Sequence, residues 1–122
     1  MARILLIEDE AALRHVVGEV LGEAGHEVLL ADDGTRGLTM LERLPPPDVV
    51  MMDLFMPKIG GRAVVARLRA NPRWRALPVV LMTGAVYDAT DFPPAGSYQV
   101  LLKKPFDLDE LVAAVTSCLA GG

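Results

Sequence analysis

Asp48-Val49-Val50-Met51-Met52-Asp53-Leu54-Phe55-Met56-Pro57 is the stretch that decides the fold. Its apolar run, 49–52, is short, continuous and preceded by the breaker Pro45-Pro46-Pro47, so it reads as a strand buried on both faces. Asp53 closes that run. A charge at the end of such a strand projects onto the rim where open α/β proteins bind ligands, and this makes Asp53 a candidate carboxylate nucleophile.

Outward from this strand the chain alternates. Residues 3–7 form a first predicted strand, and after it Leu13, Val17, Val20, Leu21 and Ala24 fall on one helical stripe that Gly25 ends. Residues 27–31 give a second strand and 34–44 a second helix, with Leu38, Met40 and Leu41 available for burial. Gly60-Gly61 opens a third helix running to about Ala70, and Asn71-Pro72 ends it. Residues 78–82 form strand four, terminating at Thr83-Gly84, and 99–102 form strand five. The last helix starts at Asp107, a candidate N-cap, with Leu108, Leu111, Val112, Val115 and Leu119 as its buried face. Five βα units predict an α/β domain with a parallel sheet covered on both sides. The pattern is weakest at 85–98, where Pro93-Pro94 and Gly96 confine a fourth helix to about 86–92, short or irregular.

Composition sets the frame. With 122 residues, 52% of them apolar and 23% charged, a single domain over 1–122 has enough apolar residues for a core, and no effector domain is expected in this chain. No apolar stretch reaches membrane-spanning length, and 4–7 is cut off by Glu8-Asp9-Glu10, so neither an anchor nor a secretion signal is expected. The expected location is cytoplasmic, with no membrane partner. Cys118 lies in an apolar helical pattern and reads as a packing residue. Net charge is −4, and the arginines of 62–75 are interleaved with apolar residues. They read as a solvated helix face, with no direct nucleic-acid binding.

In a parallel sheet the C-terminal strand ends share one rim, which gathers Glu8, Asp9, Asp53, Thr83 and Lys104. Three carboxylates brought together need a divalent cation or a lysine to offset their repulsion, and an oxygen-rich site suits Mg²⁺. Each residue alone has a plainer role. Asp9 could cap the first helix, Asp53 could start a turn, Thr83 could bond local backbone, and Lys104 could face solvent. Their convergence on one rim favours a shared site.

The segments Ile4-Leu5-Leu6-Ile7-Glu8-Asp9-Glu10, Met52-Asp53-Leu54-Phe55-Met56-Pro57, Leu81-Met82-Thr83-Gly84 and Lys103-Lys104-Pro105-Phe106 resemble the four motifs of response-regulator receiver domains. The intervals between them also match the family's spacing, and the resemblance covers essentially the whole chain. It implies a flavodoxin-like (βα)5 fold with strand order 2-1-3-4-5. It implies that Asp53 accepts a phosphoryl group from a histidine kinase or histidine phosphotransfer protein in a two-component phosphorelay. It further implies Mg²⁺ held by Glu8, Asp9, Asp53 and the backbone carbonyl of Phe55, with Lys104 and Thr83 contacting phosphoryl oxygens. Gly84 would leave room for the phosphate, and Lys104-Pro105 would be a cis peptide. The face made by the fourth helix, strand five and the last helix would dock a downstream protein or form a homodimer.

The chain departs from that pattern at particular places. Leu101 stands where the family often has an aromatic residue coupled to the threonine, so the usual switch is expected to be absent or altered, and 85–98 becomes the natural bistable element. Glu8 replaces a first aspartate, and its extra methylene favours contact with the metal through water. Phe55 and Ala85 cannot orient an attacking water, which predicts a long-lived phosphoryl-Asp53. Three rival functions compete with this one. A phosphohydrolase with an aspartyl nucleophile needs a second acid where Phe55 stands, and it needs a cap domain. Flavin or nucleotide binding is opposed by Glu8-Asp9-Glu10 in the first loop. The alternative that stays open is a receiver-like interaction module that works without phosphorylation.

Overall fold

The described part of the computed structural model comprises residues 2–84 and 88–120. Its elements run β1 (Arg3–Ile7), α1 (Ala11–Glu23), β2 (Glu27–Ala31), α2 (Gly34–Arg43), β3 (Val49–Asp53), α3 (Gly61–Ala70), β4 (Val79–Thr83), β5 (Val100–Lys103) and α4 (Leu108–Ala120). All strand pairs are parallel, in the order β2-β1-β3-β4-β5. After β2 the chain crosses to the other side of β1 to lay down β3, so the order reverses at β1. That reversal opens a crevice above the ends of β1 and β3.

Strand alternation sorts the core into two layers. Leu5, Ile7, Val50, Met52, Val79 and Leu81 face α2 and α3, where they meet Leu38, Leu41, Val64, Val65 and Leu68. Ile4, Leu6, Val49, Met51, Val80 and Met82 face α1 and α4, against Val17, Leu21, Leu111 and Val115. Every residue of β3 and β4 is buried, which is why those strands read as unbroken apolar runs. Cys118 packs into the second layer, and burial pushes its thiol pKa up, as suits a packing residue. No helix of the described residues is long and apolar enough to cross a membrane.

Local signals fix the helix ends. Asp33 Oδ1 accepts from the Arg36 amide at 2.7 Å and caps α2. Asp107 Oδ1 accepts from the Glu110 amide at 2.8 Å, while Glu110 Oε1 reaches back to the Asp107 amide at 3.5 Å, a reciprocal box at the start of α4. The buried stripe of α4 is Leu111, Ala114, Val115 and Cys118. Leu108, expected in that stripe, is 54% exposed because it sits in the first turn, ahead of the residues that meet the sheet.

Between β4 and β5 the chain is irregular, as the proline and glycine pattern implied. Of the helix predicted at about 86–92, residues 86 and 87 lie outside the described residues, and the rest holds one 3₁₀ turn, Ala89–Asp91. Polar side chains compete for the backbone here: Asp91 Oδ2 accepts from the Asp88 amide at 3.0 Å. Beyond it a turn closes, with the Ser97 amide and Oγ both donating to the Pro94 carbonyl and Gly96 at φ 87°. Phe92 and Tyr98 stack with ring centroids 6.2 Å apart and, with Leu101, cover the α2–α3 side of the sheet where a further helix was expected. Strand five is shifted one residue later than predicted.

The arginines of 62–75 are not all a solvated face. Arg69 is half-buried and donates to backbone carbonyls in two loops, and Trp74, in the turn after α3, is only 6% exposed.

Candidate functional site

The hydrogen-bond ladder continues past the strand ends and sets the rim. The Glu8 amide donates to the Ala31 carbonyl at 3.0 Å, the Leu54 amide to Met82 at 2.8 Å, and the Lys104 amide to Thr83 at 2.7 Å. The first bond extends the β1–β2 ladder and the other two join β3, β4 and β5, while the β1–β3 register sets Ile7 beside Met52, so Glu8, Asp53, Thr83 and Lys104 share one edge. The buried polar or charged residues among those described are Glu8, Asp53 and Thr83, at 1%, 6% and 2% exposure. All three belong to this rim. Burying such groups is costly unless they are paired, so their collection in one place marks a site.

The pairing runs through Lys104. Its Nζ donates to Glu8 Oε1 at 3.0 Å and makes a short bond to Asp53 Oδ2. The remaining carboxylate oxygens are held by backbone: Glu8 Oε2 by the Glu10 amide at 3.1 Å, and Asp53 Oδ1 by the Phe55 amide at 3.1 Å. Asp9 is exposed at the mouth. One carboxylate oxygen from each of Glu8, Asp9 and Asp53 lies within 4.8 Å of the others. One ammonium among three carboxyl groups leaves the site electronegative. Burial is the main reason that the Glu8 carboxyl is pushed up to about 7, and the acids Asp9 and Asp53 add to the push against the Glu10 amide and Lys104. For Lys104, burial alone would lower the ammonium, but its bonds to Asp53 and Glu8 outweigh that and hold it above the ordinary lysine value.

Two features bear on what else the rim accepts. Thr83 Oγ1 is buried with no hydrogen-bond partner among the described residues. The acidic trio offers only oxygen, the donor set of a hard divalent cation such as Mg²⁺. The residues present therefore fit both a cation and an oxyanion. At Gly84 a Cβ would stand 3.2 Å from Lys104 Cβ, so the glycine clears the path of the lysine stem. The Lys104–Pro105 peptide bond is cis, as the resemblance implied. Phe55 contributes its amide to Asp53, and its side chain is 42% exposed.

Three contacts escaped the sequence reading. Arg14, one turn into α1, donates from Nη1 to the Glu8 carbonyl at 2.8 Å and so braces the acidic loop from behind. Gly61 lets α3 begin directly on the site: a Cβ there would be 2.9 Å from the Asp53 carbonyl oxygen, and its amide donates to Leu54 at 2.8 Å. Lys58 takes a left-handed φ of 68° and pairs with the α2 cap Asp33 at 3.1 Å, tying the loop after Asp53 to α2. None of these contacts has a sequence signature, since each goes to a backbone group or spans distant loops.

The sequence model of the response regulator receiver domain matches residues 4–116. The chain is 37% identical over 121 residues to the DNA-binding dual master transcriptional regulator RpaA of Synechocystis, covering 98% of this chain and 49% of that protein. It therefore spans about half the length of that relative. It is 31% identical over 131 residues to protein PilH of Pseudomonas aeruginosa, covering 99% of this chain and all of that one. Among solved structures, the Vibrio cholerae chemotaxis protein CheY4 superposes with a TM-score of 0.87 at 26% identity, covering 98% of this chain and 99% of that one. The family match over residues 4–116 and the shared fold agree, and the chain belongs to the response regulator receiver domain family.

Proposed function

We propose that this chain is a phosphorylatable receiver domain, in which Asp53 takes a phosphoryl group from a histidine kinase or histidine phosphotransfer protein. The observation that carries the reading is the pairing of a buried Asp53, bridged by Lys104, with the unpartnered hydroxyl of Thr83 on the same rim. A site built only for structural stability has no use for that hydroxyl.

In the proposed step an Asp53 carboxylate oxygen bonds to phosphorus as the donor's P–N bond breaks, and the departing imidazole carries the electron pair away. Such a transfer depends on alignment and on neutralising the equatorial oxygens. The Phe55 amide fixes the rotation of the Asp53 carboxylate. Lys104 exchanges its bond to Asp53 for one to a phosphoryl oxygen, keeping a charge-assisted hydrogen bond throughout. Thr83 Oγ1 donates to another oxygen and gains the partner it lacks. Glu8, Asp9, Asp53 and the backbone carbonyl of Phe55 would hold Mg²⁺, which when bound offsets the charge of carboxylates and phosphate together. Phe55 has no group to orient an attacking water, so the acyl phosphate is expected to be long-lived. Its formation would shift a population of conformers and change what the surface binds, whether a separate protein or an effector domain of the same polypeptide.

Intact mass after incubation with acetyl phosphate and Mg²⁺ tests this. One phosphoryl group is expected in the wild type and none in Asp53→Asn or with EDTA. An adduct that persists in Asp53→Asn would place the chemistry elsewhere, and phosphorylation by neither acetyl phosphate nor a cognate kinase would favour a constitutive interaction module.

A further inference from the structure

Helix α3 grips the β4–β5 connector at two points. Near its start, Arg62 Nη1 donates to the Thr90 carbonyl at 2.6 Å. Near its end, Arg69 donates to the Ser97 carbonyl from Nε at 3.0 Å and from Nη2 at 2.7 Å. The third guanidinium nitrogen, Nη1, turns to the loop between α3 and β4, reaching the carbonyls of Leu77 at 2.8 Å, Arg75 at 3.0 Å and Trp74 at 3.5 Å. Among the described residues no carboxylate forms an ion pair with Arg69. A half-buried guanidinium divided between the carbonyls of two separate loops acts as a cross-link, because its planar fork holds both at fixed angles. The burial that this requires pulls the Arg69 pKa down.

Apolar packing follows the same division. Trp74 from the first loop and Phe92 and Tyr98 from the connector enter one core layer with Val65 and Leu68 of α3. At its other end α3 starts at Gly61, whose amide donates to the carbonyl of Leu54, the residue after Asp53, and Arg62 is the next residue. One rigid element thus touches the site at its N-terminus and pins two loops along its length.

We propose that α3, the 71–77 loop and the 88–98 connector move as one body with Arg69 as its pin, so that a change of state at Asp53 reaches the surface through α3. The route from Asp53 rests on the phosphorylation reading above, whereas the cross-link itself does not. The cross-link assigns to α3 and its two loops the part that a regular fourth helix would otherwise play.

Amide hydrogen exchange on the unmodified protein tests the cross-link. In Arg69→Gln, amides of the 71–77 loop and of 95–98 should exchange faster together, by roughly tenfold or more, with β1 and β3 unchanged. Arg69→Lys should restore only one of the two loops, since a point charge cannot span the fork. Arg62→Gln, an exposed change that the fold tolerates, should loosen 88–91 alone. Loosening of a single loop in Arg69→Gln, or a uniform rise across the sheet, would overturn the proposal. Trp74, the chain's single tryptophan, reports the coupling. With acetyl phosphate and Mg²⁺, and the adduct measured on the same sample, Trp74 emission should shift in the wild type and stay constant in an equally phosphorylated Arg69→Gln. A wild-type adduct without an emission change refutes the route through α3. Absence of any adduct instead refutes the phosphorylation reading, and the exchange data then decide the cross-link alone.

Discussion

A buried hydroxyl without a partner costs the folded state about 1–3 kcal/mol, and Thr83 Oγ1 is such a group. Valine has the same shape without the hydroxyl and suits a strand. Thr83→Val is therefore expected to stabilise the protein by about 1 kcal/mol, read from the urea midpoint, while slowing phosphorylation of Asp53. A destabilised variant would mean that the hydroxyl is satisfied within the protein. Glu8 supplies the pH dependence. Its folded pKa, about 7, lies above the ordinary 4.5, so the metal-free fold binds this proton more tightly than the unfolded chain does. Stability from this group is fully present below 4.5 and is lost as pH rises through 7, by up to ~3 kcal/mol. Urea titrations in EDTA at pH 5 and pH 8 should show the loss, and Glu8→Gln should flatten it. A wild type that gains stability over that range would show that Lys104 dominates the site.

At the scale of elements, two glycines separate helix propensity from helix packing. In α1, a Cβ added at Gly22 would meet no heavy atom within 4 Å, so Gly22→Ala should stabilise by about 0.5–1 kcal/mol. In α2, a Cβ at Gly37 would stand 2.3 Å from Cδ1 and 2.8 Å from Cγ1 of the fully buried Ile7. Gly37→Ala should destabilise by about 1–3 kcal/mol despite its better helix propensity, because α2 must lift off β1. Thermal melts of the two variants should move in opposite directions. The same contrast governs what could be read from residues alone. Strand runs such as 49–52, the cap Asp107, and the rim residues Glu8, Asp9, Asp53, Thr83 and Lys104 are legible because their signals are local or repeat at fixed intervals. Arg69 was not, since a guanidinium that joins the carbonyls of Ser97 and Leu77 looks in sequence like any helix-surface arginine. Trp74 and the Phe92–Tyr98 stack were missed for a related reason. They cover the sheet from irregular loops, where no periodicity announces burial.

At the scale of the whole molecule, the acidic site is a product of folding. Glu8 and Asp9 follow β1 and Asp53 ends β3, and the parallel register that pairs Ile7 with Met52 is what brings their oxygens within 4.8 Å. In the unfolded chain these carboxylates are separated by most of the first half of the sequence and cannot hold one ion together. A cation that binds the native trio alone must therefore stabilise the entire fold, by RT ln(1 + [L]/Kd). Mg²⁺ at a hundredfold excess over its Kd should raise the unfolding free energy by about 2.7 kcal/mol, with the urea midpoint climbing as the logarithm of Mg²⁺ concentration. Sodium chloride at matched ionic strength separates this from general screening of a chain with net charge −4. Asp9→Asn removes an exposed carboxylate that makes no bond to Lys104, so it should leave the metal-free fold intact and abolish the Mg²⁺ response. An equal midpoint shift in Asp9→Asn, or in sodium chloride, would show that the ion acts on the surface as a whole, and the oxygen trio would then owe its proximity to the sheet alone.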